Sequence, residues 1–247
     1  MDNEQKKSRN DKFNVWLANL SYIAVVITLI LIMVQIFYAK RTMNEAHEWE
    51  KAKMTIENIE RFKEQLKETA LYGKTGTLWF AGRSYPDMTT PKGYELTDTL
   101  RTVYFSLFDD RAKAFEDFEK TLNILDAFAY PIIMGYASET GSFQSAIKEY
   151  YTYGNFIMPI AFHAQGYKYM GNSAKLLYRL WRVKSELLTV FNMDIEDLKK
   201  NFSINDLLCF DGTEITPASL EQYREKLEKE LKKIQKEIEV FRKNSLK

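Results

Sequence analysis

The chain has few residues able to do chemistry as a set: among 247 residues there are two histidines and one cysteine. His47 stands in NEAHEWE, which lacks the second histidine that an HExxH helix uses to grip a zinc ion from two turns. A closed zinc site needs four ligands of these types, and the chain does not have them. Gly73-Lys74-Thr75 resembles the end of a phosphate-binding loop. That loop also needs a glycine five positions before Gly73, where Glu68 stands, and a strand where a helical pattern runs. Cys209 lies in apolar NDLLCFDG, the setting of a structural thiol, and no GxSxG elbow presents a serine nucleophile. No catalytic, cofactor or metal constellation emerges.

Some single residues merit attention. Glu48, Glu50, Asp109, Asp110, Glu116 and Asp117 read as solvated helix charges, whereas Asp126 and Glu139 fall in more apolar stretches. His163, in PIAFHAQGY, reads as a partly buried histidine with a satisfied ring. Tyr150, Tyr151, Tyr153, Phe156, Phe162, Tyr167 and Tyr169 either line a ligand groove or pack between helices with hydroxyls at the rim.

The elements that would position these residues begin with a membrane segment. From Phe13 to Ala39 the chain runs 27 residues without a formal charge, between Lys12 and the pair Lys40-Arg41. A hydrocarbon core of about 30 Å needs roughly 20 apolar residues in a helix, and only a helix satisfies its own backbone in lipid. Phe13, Trp16, Tyr22, Phe37 and Tyr38 supply aromatic residues at both ends. A buried core helix and a cleaved signal peptide are the competing readings. The run is too long for a 7–15-residue signal core, and it passes directly into Lys40-Arg41. Four basic residues flank each side, so the positive-inside rule ties. The boundary pair and the short tail favour a cytoplasmic C-terminal part and a single pass through the inner membrane. One cysteine allows no intramolecular disulfide, which suits a reducing compartment.

The expected fold is all-α. Residues 1–12 form a tail, 13–39 the transmembrane helix, 40–71 a juxtamembrane stalk and 72–96 a loop. An antiparallel bundle follows over 97–212, then an amphipathic helix over 213–247. Ten glycines and five prolines leave few breaks. Apolar residues recur by threes and fours at Leu100–Phe108, Phe115–Ala129, Phe143–Tyr151 and Leu176–Phe191. Ser142, Asn172 or Ser173, and Thr216-Pro217 read as helix starts, and Pro131 and Pro159 as kinks or ends. The stalk stripe is Trp49, Ala52, Ile56, Ile59, Phe62 and Leu66. The last helix carries Leu227, Leu231, Ile234 and Ile238 on a narrow stripe among i, i+4 Glu–Lys pairs. That stripe either packs on its own domain or forms a coiled-coil seam with a protein partner or a second copy. A net charge of +1 with mixed signs gives no footprint for nucleic acid.

The order of tail, membrane helix, charged stalk and helical domain, together with TLNILDAFAYPIIMGYASET, resembles the bacterial domain-of-unknown-function family 4760. Leu122, Asn123 and Asp126 are similar to its Leu-Asn-x-x-acid helix, Gly135 stands near the end of that helix, and Trp181 in LLYRLWRV matches the aromatic of a later one. Asp126 replaces the usual glutamate, and Pro131 interrupts the helix. The resemblance implies a membrane-anchored helical protein of the kind associated with phage defence. It also suggests Asn123 and Asp126 as a buried polar pair that holds helix register. The leading functional expectation is a non-enzymatic, membrane-tethered interaction or sensor module with the bilayer and a protein as partners. The alternatives are an oligomeric effector that permeabilises the bilayer, with Thr28 and Gln35 facing a lumen, and an enzyme with a pocket among the Tyr150–Tyr169 helices.

Overall fold

A computed structural model describes residues 2–72, 101–102, 104–163, 170–192, 195–196 and 214–245, with side chains from residue 31 onward except those of residues 163, 190 and 191. It is all-helical. Five long helices run α1 Asp2–Lys67, α2 Arg111–Met134, α3 Glu139–His163, α4 Asn172–Asn192 and α5 Pro217–Ser245. The chain divides into two compact units, residues 1–50 and 51–247. Among the described residues no helix is long and apolar enough to cross a membrane. The larger part of the uncharged run, residues 13–30, lies where side chains are not described.

In the first unit every described side chain of α1 is exposed. Leu31, Ile32, Met33, Val34, Ile36, Phe37 and Tyr38 are all exposed. Further on, Arg41 bonds Glu45 one turn away, and both side chains are exposed.

The second unit is a helical bundle centred on α4, which packs against α2 and α5 and more lightly against α3. Its start differs from the stalk expectation. From Lys51 the chain belongs to the bundle, and the buried side of α1 is Thr55, Asn58, Phe62 and Leu66, with Ile56 exposed. The reason is hydrogen bonding. Asn58 Nδ2 donates to the Phe128 carbonyl at 2.9 Å, and Thr55 Oγ1 accepts the Ser138 amide at 2.7 Å. Two polar residues therefore line the buried side, and an apolar stripe alone points a little off it.

Aromatic rings fill the centre. Phe62 stacks on Phe128 at 4.2 Å, and Tyr150 meets Trp181 edge-on at 5.1 Å. Such pairs add about 0.5–1.5 kcal/mol beyond the area they bury.

The helix ends follow local chemistry, with corrections. Ser138, not Ser142, starts α3: its hydroxyl accepts the Gly141 amide at 3.2 Å, while Ser142 lies buried inside the helix. Thr216 and Ser219 bond reciprocally at the start of α5, with Pro217 at the first helical position as expected. Pro131 and Pro159 do not end their helices, which run on to Met134 and His163. Instead α2 stops at Gly135, whose φ of 86° is the left-handed cap a glycine adopts without strain.

Candidate interaction surface

Asp126 and Glu139 both hold helices in place. Asp126 Oδ1 accepts the Ala174 amide at 2.9 Å. It caps the first turn of α4 from the neighbouring helix, so neither Asn172 nor Ser173 supplies that cap. A carboxylate there meets the positive end of the helix dipole. Asn123 is exposed and Asp126 half-buried, so they are not a buried pair. Three residues apart on a helix are neighbours turned by about 60°, enough to carry Asn123 out to solvent at the edge of the buried side. Glu139, in the first turn of α3, accepts Trp181 Nε1 at 3.0 Å and pairs with Lys184. His163 ends α3, and its side chain lies outside the described residues, as do Cys209, Gly73-Lys74-Thr75, Tyr167, Tyr169 and nearly all of the expected 72–96 loop.

The described aromatic residues pack. Tyr150, Tyr153 and Phe156 are buried, and Tyr150 donates to the Ala174 carbonyl at 2.8 Å. Burial pushes the Tyr150 hydroxyl well above the ordinary tyrosine value, and the Asp126 charge adds to this. Tyr151 is raised for the same first reason, with Tyr178 and Glu186 adding to the shift and Arg182 opposing it. Hydroxyls held neutral this firmly are poor general bases near neutrality.

Along α4 and α5 the polar residues meet in two tiers. Arg179 forks to Glu237 at 2.6 Å and Glu230 at 2.7 Å. Burial opposes the guanidinium charge, but the bonds to Glu237 and Glu230 outweigh it and raise its pKa. One turn on, Arg182 approaches Glu186 at 3.7 Å, and Tyr223 donates to the same carboxylate. Tyr178 donates to Asn155 at 2.8 Å. These bonds join α3, α4 and α5 across their length.

This packing overturns the intermolecular reading of the last stripe. Leu227, Ile234 and Ile238 are buried, and Leu231 is half-buried against the core. α4 already covers the seam, so these four residues are not a partner-binding surface. A narrow apolar stripe specifies that something covers it, not which chain does.

What α5 leaves outward is mixed in charge, with Glu221, Glu225, Glu228 and Glu239 exposed beside the lysines. Lys229, Lys232, Lys233 and Lys236 lie together on an open face with Glu237 and Val240. The sequence offers Glu225 and Glu228 as i, i+4 partners for Lys229 and Lys232, yet among the described residues those pairs do not close. Lys233 reaches Glu230 at 3.6 Å. Sequence reasoning missed this cluster because it weighed the lysines as partners of glutamates rather than as neighbours of one another. The KKIQK run was the available signal.

Among the described residues no three or more histidine, cysteine, aspartate or glutamate side chains are grouped to hold a metal ion. No protein-family model, curated protein or solved structure matches the chain. The resemblance to family 4760 therefore rests on the order of parts and on Leu122, Asn123, Asp126, Gly135 and Trp181. In the fold, Leu122 and Trp181 are core residues and Gly135 ends a helix.

Proposed function

We propose that this chain is a single-pass, membrane-tethered helical interaction module without catalysis of its own, its larger unit held on the cytoplasmic side of the inner membrane. One observation carries the reading. Seven of the eight residues from Leu31 to Tyr38 are large, apolar or aromatic, and exposed. Consecutive positions cover every side of a helix, and a helix that is apolar all round belongs in a protein core or in lipid. Among the described residues nothing covers this stretch, and it continues an uncharged run that begins at Phe13. The non-catalytic part of the reading draws on Asp126, Glu139 and Tyr150, whose polar atoms are engaged in bonds between helices. Exposed Met43 and Trp49, beyond the Lys40-Arg41 boundary, offer a partner two large anchors. The family resemblance supplies phage defence as a setting.

The test is extraction. Membranes holding the full-length chain are washed at alkaline pH in carbonate, and a reporter fused after Lys247 is scored for cytoplasmic activity. The chain is expected in the pellet with an active reporter. Recovery of the intact chain in the wash would refute the tether.

A further inference from the structure

Five residues of the run from Phe13 to Ala39 are Asn, Ser, Thr or Gln. Four of them fall seven apart, at Asn14, Ser21, Thr28 and Gln35, and the exception is Asn19, near the start of the run. The repeat continues beyond the run to Thr42 and Trp49. α1 runs unbroken from Asp2 to Lys67, so positions seven apart share one side of it. Ala39 and Ala46, four residues on from Gln35 and Thr42, complete a seam of the a/d kind with small side chains. Gln35, Ala39, Thr42, Ala46 and Trp49 are all exposed.

One group in this seam wants a partner. Thr42 returns its hydroxyl to the Tyr38 carbonyl at 3.0 Å. The Gln35 carboxamide has two donor hydrogens and an acceptor oxygen, and it makes no hydrogen bond among the described residues. It stands directly after the apolar stretch Ile23–Val34 and before Lys40. In hydrocarbon an unsatisfied polar group is costly. The other described helices give it nothing, because they pack with one another in the second unit.

We infer that a second copy of this chain covers the seam, with its α1 parallel and in register. The inference rests on the proposed tether and names its partner. Single-pass copies insert with one orientation, so identical residues meet across a two-fold axis. A carboxamide both donates and accepts, which makes Gln35 complementary to itself. Seven is the spacing at which two helices stay in contact by coiling round each other. In lipid, small residues let the backbones approach and polar side chains bond across the gap. Glu45 and Glu50 flank the seam with like charge. Arg41 holds the first at 2.8 Å, and the contact closes on the membrane side of Glu50, from Thr28 to Ala46.

The experiment uses the full-length chain in its membrane, with Cys209→Ser and one new cysteine per variant. Thr42→Cys and Ala46→Cys lie on the seam, and Asn44→Cys and Glu48→Cys lie on the opposite side of the helix. Membranes are oxidised with copper phenanthroline, washed in carbonate, and the pellet is run without reductant. The seam variants are expected to link into a species of twice the chain's mass, and the control variants to stay monomeric. Adding Gln35→Leu is expected to lower the linked fraction about threefold, the effect of one interhelical hydrogen bond in lipid. Equal linking at all four positions, or no linking at the seam, overturns the inference and leaves the tether standing. So does a seam adduct of another mass, which would make the occupant a different protein, or a linked fraction that Gln35→Leu leaves unchanged. Loss of the chain to the wash is the failure of the tether itself, and the inference falls with it.

Discussion

Asp126 reaches from α2 to the Ala174 amide of α4, and Asn123 on the same helix faces water. The contrast is testable at single residues. Asp126→Ala removes an N-terminal cap and is expected to cost about 0.5–2 kcal/mol in urea unfolding. Asn123→Ala is expected to stay within about 0.5 kcal/mol, as surface changes do. Equal effects would restore the buried pair. Gly171 offers a second test. Its φ is 64°, and a Cβ there would lie 2.6 Å from Leu122 Cδ1. Gly171→Ala combines a left-handed backbone with a collision in the core, and a loss of about 1–3 kcal/mol should appear as a lower melting temperature. The tyrosines set a pH limit. Burial raises Tyr150, Tyr151 and Tyr178 in the folded state above the ordinary value of 10.0. Their neutral forms favour the fold, so the contribution is complete below about pH 10 and is lost as pH rises above it. Thermal melts should therefore weaken on the alkaline side, and Tyr151→Phe should flatten that decline with little change at pH 7. An unchanged alkaline slope in the variant would show that Tyr151 takes no part.

At the scale of elements, α5 is where sequence and structure diverge most usefully. Its start was legible, because Thr216-Pro217 places a hydroxyl and an imino acid where a first turn wants them. Its stripe was legible too, but not its partner, because apolar spacing is the same for an internal and an external seam. Ile234→Asp distinguishes the two. Placing an unpaired charge at a buried position costs about 3–5 kcal/mol. The expected result is a large drop in the urea midpoint, not a change in association of a folded chain. An intact fold with altered oligomeric state would return the seam to a partner. The α3 start shows the opposite kind of error. The sequence reading put the start at Ser142, but the turn after Gly135 ends at Ser138, which is fixed by its bond to Thr55 in a distant part of the chain. The pairing of Arg179 with Glu230 and Glu237 was not readable, since only the fold brings α4 against α5.

For the whole molecule, the compact unit from Lys51 to Lys247 carries its own aromatic centre and its own inter-helix bonds. Residues 51–247 produced alone should keep helical circular dichroism and unfold cooperatively in urea, and under the proposed tether they should not sediment with membranes. A non-cooperative, shallow melt would mean that residues 1–50 are needed for folding. All-α architecture followed from sparse glycine and proline and from periodic apolar faces. The boundary at residue 50 did not, because an uninterrupted helical pattern runs through it, and only Thr55 and Asn58 bonding to α2 and its turn mark where α1 joins the bundle.

Arg242, three residues before the end of α5, donates to the carbonyl of Ile133 at the end of α2, 109 positions earlier. α5 thus both packs on α4 and ties off a helix made long before it. During synthesis α4 must wait with Arg179 and Glu186 lacking their partners Glu230, Glu237 and Tyr223. A message truncated by a stop codon before Pro217 would yield a product whose naked flank invites chaperones and proteases, so the cell would remove the fragment instead of storing it.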